Sequence, residues 1–184
     1  MGGAALPLFL GESRPGRAPQ RSDPPRLSLV PDARQREGVT PGPSVLLVED
    51  DPSMRLLCSF NLELAGFTVT TASTGHEGVE LGHAERFDLL LLDVMLPDLG
   101  GFEVAAQLRA DAAARDVPIV FLSARTSSTD LARGRAAGAI DYVTKPFDPV
   151  ELATRLREDL DELARGDAER VWELRFGAFA EPNS

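Results

Sequence analysis

One cysteine, Cys58, is all that the 184 residues hold, so no internal disulfide framework can staple this chain, and a reducing compartment, the cytoplasm, is the expected setting. Also missing is any apolar run close to the roughly 20 residues that a membrane-spanning helix needs, which argues against insertion into a bilayer. The apolar stretch from Ala4 to Leu10 has no basic residue ahead of it, is broken by Pro7 and runs into an Arg/Pro segment, so it does not fit a signal peptide. Leu6 stands where a myristoylation signal wants Ser or Thr. A glycine loop of the dinucleotide or P-loop type, built to cradle phosphate, is absent too.

Positive charge is scarce where the chain is expected to fold. The net charge is -10, but residues 1–43 carry six Arg against four acids, leaving 13 basic and 25 acidic residues for the remainder. A domain near -12 repels a phosphate backbone, so direct binding to nucleic acid is not expected. A hydrophobic fraction of 43% suffices for an ordinary core.

Up to Pro43 the sequence is rich in Pro, Gly, Arg and Ser without sustained periodicity, which reads as a disordered extension. It is either a flexible arm or the product of an upstream start codon. From Val45 the pattern changes. Short apolar runs over Val45–Val48, Phe67–Thr71, Phe87–Leu92, Val117–Leu122 and Ile140–Val143 predict five strands. Runs such as Leu89 to Leu92 lack the polar alternation of a strand with one wet face, which points to a parallel sheet covered on both sides.

Helices are expected between the strands. Asp51 as N-cap with Pro52 behind it opens the first, whose Leu56, Leu57, Phe60 and Leu64 are expected to be buried. Asp148 and Pro149 repeat the device for the last, which carries Leu152, Leu156, Leu160 and Leu163 at helical spacing. Helices over about Gly75 to Ala84 and Phe102 to Ala114, and a weak, little-apolar one over Ser127 to Ala137, complete the alternation. The fold class is therefore α/β, a doubly wound five-stranded parallel sheet with helices on both faces.

In such a sheet ligands bind outside the carboxyl ends of the strands. The first run ends in Glu49 and Asp50, the third in Asp93, the fourth in Ser123 and the fifth in Lys145 followed by Pro146. Three carboxylates, a hydroxyl and an ammonium would meet at one edge. Close carboxylates repel one another unless a cation neutralises them, and a hard divalent ion, Mg²⁺, is the natural choice. Mg²⁺ takes few protein ligands and leaves room for phosphoryl oxygens, so the edge reads as a phosphoryl-transfer site. Asp93, ending the most apolar strand, is the candidate nucleophile. Lys145 and Ser123 are then placed to contact the phosphoryl oxygens.

Taken together, Val45-Leu46-Leu47-Val48-Glu49-Asp50-Asp51, Leu92-Asp93-Val94-Met95-Leu96-Pro97-Asp98-Leu99-Gly100-Gly101-Phe102-Glu103, Phe121-Leu122-Ser123-Ala124 and Asp141-Tyr142-Val143-Thr144-Lys145-Pro146-Phe147 resemble the receiver domains of two-component response regulators. The resemblance runs from about Ser44 to Arg165, which sets expected bounds of 1–43 for the extension, 44–165 for the receiver and 166–184 for a short tail with no output domain. It implies a flavodoxin-like sheet of order 2-1-3-4-5. It also implies a switch protein rather than an enzyme on external substrates, acting as a stand-alone receiver.

Position by position, the resemblance makes Asp93 the phosphoacceptor and Glu49, Asp50, Asp93 and the backbone carbonyl of Met95 the metal ligands. It makes Ser123 and Tyr142 the pair that responds to phosphorylation, Lys145 the phosphate contact, and Lys145–Pro146 a cis bond. A sensor histidine kinase or histidine phosphotransfer protein is the implied donor, and a further protein the implied target. The face from about Thr126 to Arg165 is where the family shows its output, with Arg125, Arg133 and Arg135 available to shape partner choice. Val171, Trp172, Leu174, Phe176 and Phe179 of the tail either cover the core or dock to a partner.

Two other readings stay open at this point. A pseudo-receiver would keep the fold without the phosphorylation, although the complete set of Glu49, Asp50, Asp93, Ser123 and Lys145 speaks against it. An aspartyl-nucleophile phosphatase would want an acid two residues after Asp93, where Met95 stands. His76 and His83 lie seven apart with no third ligand and read as solvated surface residues. Cys58 reads as a small buried apolar residue.

Overall fold

The structure is a computed structural model that describes residues 1–2, 42–112, 114–124, 127–166 and 168–176. The expected disorder of residues 1–43 therefore falls almost wholly outside the described residues, as do Arg125, Phe179 and the Leu174 side chain. Residues 33–184 form one compact unit. Its strands are β1 (Ser44–Val48), β2 (Thr68–Ala72), β3 (Leu89–Asp93), β4 (Ile119–Ser123) and β5 (Ala139–Thr144). Its helices are α1 (Pro52–Leu64), α2 (Gly75–Ala84), α3 (Gly101–Ala110), α4 (Ser128–Ala136), α5 (Pro149–Ala164) and α6 (Ala168–Phe176).

The five strands pair in parallel in the order β2-β1-β3-β4-β5. Every residue of β3 and β4 is buried, which is why neither shows the alternation of a half-wet strand. Alternate residues feed two cores. Leu46, Val48, Leu90, Leu92 and Phe121 pack with α2, α3 and α4, and Val45, Leu47, Leu89, Leu91 and Val120 pack with α1 and α5. From β1 the chain adds β2 on one side and β3 to β5 on the other, and at this switch in strand order the carboxyl ends of β1 and β3 open a crevice.

The helix starts follow the sequence closely. Asp51 accepts the Met54 N–H at 2.7 Å and Asp148 accepts the Val150 N–H at 2.7 Å, each ahead of a proline. These caps fix where α1 and α5 leave the crevice. Helix α3 ends at Ala110, four residues short of the expected Ala114. Gly100 and Gly101 are its N-cap and first residue.

Helix α1 corrects one expectation. Leu56, Leu57, Phe60 and Leu64 are not buried; they are 70%, 48%, 54% and 71% exposed. The helix instead docks through Cys58 and Leu62, with Met54 half-buried beside them. Both sets recur at helical spacing, so α1 carries two apolar stripes on opposite sides, and the smaller one meets the sheet. Burial raises the Cys58 thiol to about 11, consistent with an inert core residue.

Helix α6 packs back on the domain. Val171 and Trp172 are buried, and Trp172 stacks on Phe176 with ring centroids 4.4 Å apart.

Candidate functional site

The sheet brings the expected residues to one edge. Glu49 directly follows β1 and is tied to β2 by its N–H, which donates to the Ala72 carbonyl at 3.1 Å. Asp93 ends β3, where the Val94 N–H donates to Leu122 of β4 at 2.9 Å. Glu49 and Asp93 are 1% and 4% exposed, whereas Asp50 is open to solvent. Ligand oxygens of Glu49, Asp50 and Asp93 lie within 4.8 Å of one another.

Lys145 comes in from the far side of the sheet. Its Nζ donates to Asp93 Oδ2 and to Glu49 Oε2, both at 2.6 Å. The Lys145 N–H donates to the Ser123 carbonyl at 2.8 Å, so the lysine backbone is anchored to the end of β4. The Lys145–Pro146 bond is cis. Burial pulls the ammonium down, but its hydrogen bonds to Asp93 and Glu49 outweigh this and hold it above the ordinary lysine value. Burial pushes the Glu49 carboxyl up, against the Lys145 hydrogen bond and with help from the Asp93 charge.

Three carboxylates and one ammonium leave a formal charge of -2 at the edge. One ammonium cannot neutralise all three acids, and the excess matches a divalent cation held by oxygens. The donor set thus fits Mg²⁺. The remaining expected residues are placed as follows. Ser123 is fully buried at the end of β4. Tyr142 is buried in β5, with its ring 6.2 Å from that of Phe121. Met95 is exposed, and its N–H donates to Asp93 Oδ1 at 2.9 Å, fixing the carboxylate from the loop side.

Two supporting interactions escape the sequence reading. Arg55 reaches back from α1 and donates through Nη1 to the Glu49 and Asp50 carbonyls at 2.6 and 3.1 Å, bracing the turn that carries both acids. Asp98, in the loop after Asp93, accepts the N–H groups of Gly75 and His76 at 2.9 and 3.0 Å and contacts His76 Nδ1 at 2.6 Å. His76 is thus surface-exposed but paired. These bonds hold the Asp98 carboxyl far below the usual carboxylate range and pin the loop to the first turn of α2. The same loop is tight at Gly101, where an added Cβ would lie 2.2 Å from the Asp93 carbonyl oxygen. Pro97, Gly100 and Gly101 mark this loop locally in the sequence, whereas the Asp98 partners lie more than 20 residues away.

The fold and site have clear relatives. The response regulator receiver domain family matches residues 45–157. The chain is 42% identical over 115 residues to the DNA-binding dual master transcriptional regulator RpaA of Synechocystis, covering 62% of this chain and 48% of RpaA. It is 39% identical over 136 residues to the transcriptional regulatory protein AfsQ1 of Streptomyces coelicolor, covering 74% and 58%. The chain therefore spans about half the length of these curated relatives. Among solved structures it is similar to the chemotaxis protein CheY4 of Vibrio cholerae, with a TM-score of 0.61, 34% identity, and coverage of 64% of this chain and 98% of that one. It also resembles the receiver domain of the sensor histidine kinase PA1611 of Pseudomonas aeruginosa, solved with a magnesium ion in the active site cleft, with a TM-score of 0.60, 33% identity, and coverage of 65% and 98%.

The chain belongs to the response regulator receiver domain family. Its acidic cluster is the phospho-aspartate and Mg²⁺ type of site, whose chemistry is the protein's own phosphorylation and dephosphorylation.

Proposed function

We propose that Asp93 is the phosphoacceptor of a two-component phosphorelay. The observation that carries this reading is the Asp93 carboxylate, buried at the end of β3, braced on one oxygen by the Met95 N–H and on the other by Lys145. Such fixing removes the orientational cost of bringing a carboxylate onto phosphorus. One Asp93 oxygen attacks the phosphorus of a phosphohistidine, the P–N bond breaks, and the imidazole leaves with its electron pair and takes up a proton. An acyl phosphate remains on Asp93. Glu49, Asp50, Asp93 and the Met95 carbonyl would hold Mg²⁺, which would supply neutralisation of the phosphoryl oxygens.

Lys145 is already within reach of Asp93 and turns its ammonium to a phosphoryl oxygen. The Ser123 hydroxyl takes another, and Tyr142 is the neighbouring residue whose packing answers the change. The donor is a sensor histidine kinase or a histidine phosphotransfer protein. Its phosphohistidine has to reach the crevice from which α1 starts, and the solvent-facing Leu56, Leu57, Phe60 and Leu64 give that helix an apolar docking stripe. The target is a further protein, since the acidic domain is ill-suited to contact DNA itself. The region shared with RpaA, a curated relative named as DNA-binding, makes up 48% of that protein. A cytoplasmic location accords with one cysteine held as a buried free thiol.

Intact mass after incubation with a small phosphodonor tests this reading. A single phosphoryl addition that requires Mg²⁺ and Asp93 supports it, and no addition under any condition returns the pseudo-receiver reading.

A further inference from the structure

Arg55 lies in the first turn of α1, where its N–H donates to the Asp51 carbonyl at 2.9 Å. A cation there opposes the helix dipole, and the first turn of α1 holds no acid. Helix stability therefore does not account for an arginine at this position. The half-buried side chain instead turns back past the helix start, where Nη1 is shared between two consecutive carbonyls, Glu49 at 2.6 Å and Asp50 at 3.1 Å.

Those carbonyls belong to the two residues whose carboxylates join Asp93 in the acidic cluster. The three acids are not held alike. Glu49 is buried and bonded to Lys145, and Asp93 is bonded to Lys145 and to the Met95 N–H. Asp50 is open to solvent, and among the described residues no donor meets its carboxylate. Its placement rests on its backbone, which Arg55 grips. Because Arg55 bonds neutral carbonyls, it takes none of the carboxylate oxygens that a cation would use. Its charge also reaches Glu77 of α2, where it adds to the Ser73 N–H and hydroxyl bonds, at 2.7 and 2.8 Å, that hold that carboxyl below its ordinary value.

We propose that Arg55 is a positioning residue of the Mg²⁺ site. By clamping the Glu49 and Asp50 carbonyls it fixes how the Asp50 carboxylate meets a divalent cation, and so raises the affinity of the site for Mg²⁺. The inference rests on the reading of the acidic cluster as the metal site of phosphoryl transfer to Asp93.

The guanidinium acts on a bound cation in two ways of opposite sign. As a charge it repels the cation, so its removal alone would tighten binding. As a clamp it orients a ligand, and loss of such support weakens metal binding by about 10- to 100-fold. Asp50 faces water, which screens the repulsion, so the clamp prevails. The sign of the change on truncation therefore separates positioning from bare charge.

Mg²⁺ titration of the full chain, followed by amide NMR, tests this in the natural chain, Arg55→Ala and Arg55→Lys, with urea unfolding to verify each fold. The Kd for Mg²⁺ should rise about tenfold or more in Arg55→Ala. Arg55→Lys keeps the charge without the guanidinium fork and should fall between the two. With a small phosphodonor, Arg55→Ala should lose more rate at limiting than at saturating Mg²⁺, a split that a merely loosened fold does not give. An unchanged Kd in Arg55→Ala would overturn the proposal by leaving Arg55 a purely structural role, and a lower Kd would overturn it by leaving only its charge. If Arg55→Ala does not fold, Arg55→Lys decides, and a Kd equal to that of the natural chain overturns the proposal. No Mg²⁺ binding by the natural chain is a separate failure, which would remove the metal reading and this inference with it. Unaltered Kd values in the variants would leave phosphorylation of Asp93 standing.

Discussion

Lys145 Nζ and Asp93 Oδ2 lie 2.6 Å apart although β5 and β3 are not neighbours in the sheet. The lysine crosses the end of β4 to reach the acid, and it is the only lysine in the chain. Because the same ammonium also meets Glu49, its removal leaves two buried carboxylates facing each other.

Lys145→Met should therefore destabilise the domain at neutral pH by roughly 1–3 kcal/mol, the cost of uncompensated buried charge. Mg²⁺ should restore more stability to this variant than it adds to the natural chain. Urea unfolding with and without Mg²⁺ measures both effects. Equal midpoints for the two chains without metal would show that the ammonium contributes nothing to the charge balance of the crevice.

Asp98→Ala should release the β3–α3 loop from α2. The amide protons of Gly75 and His76 lose their acceptor and should exchange faster, while those of β3 keep their protection. Since the folded carboxyl sits below its ordinary value of 3.8, the stabilisation is present above that value and fades as pH falls below it. Hydrogen exchange by NMR checks the first point, and acid unfolding of the two chains the second.

Asp159 runs the other way. Its folded carboxyl is raised from 3.8 to about 7, so between those values the native state holds a proton that the unfolded chain has released. Stability from this residue is then greatest at low pH and declines as pH rises toward 7. The groups that face it are Asp141 of β5, Arg155 and Glu158 of α5, and Arg175 of α6. Asp159→Asn should remove this decline, so that the variant gains on the natural chain as pH is raised from 4 to 7. Urea midpoints at several pH values would reveal a constant difference if the residue did not titrate in that window.

On α1, Phe60→Ser and Leu64→Ser should leave stability within about 0.5 kcal/mol of the natural chain, because both side chains are solvent-facing. If the stripe docks the phosphodonor, these changes slow transfer from a cognate kinase without affecting modification by a small phosphodonor. A loss of several kcal/mol would mean that the stripe is core after all.

Much of this architecture was legible in advance because it rests on local rules. The run Leu89 to Leu92 gave a buried parallel strand, and the Asp51–Pro52 and Asp148–Pro149 pairs marked two helix starts by capping chemistry alone. The acids at the strand ends followed from the topology of parallel sheets. Features that rest on distant partners were not legible. Helix α1 offers two apolar stripes, and only the packed sheet chooses Cys58 and Leu62 over the larger Leu56 and Phe60. Asp159 reads as one more acid on a charged helix until Arg175 and Asp141 close over it. Arg55 reads as a surface residue until α1 bends it back onto the Glu49 carbonyl.

The central claim is tested most directly by the intact mass of the chain after incubation with a small phosphodonor, beside Asp93→Asn and a sample treated with chelator. A single phosphoryl adduct in the natural chain, absent from the variant and from the chelated sample, is the predicted result. An adduct that survives Asp93→Asn, or no adduct in any sample, would contradict the assignment of Asp93 as the acceptor.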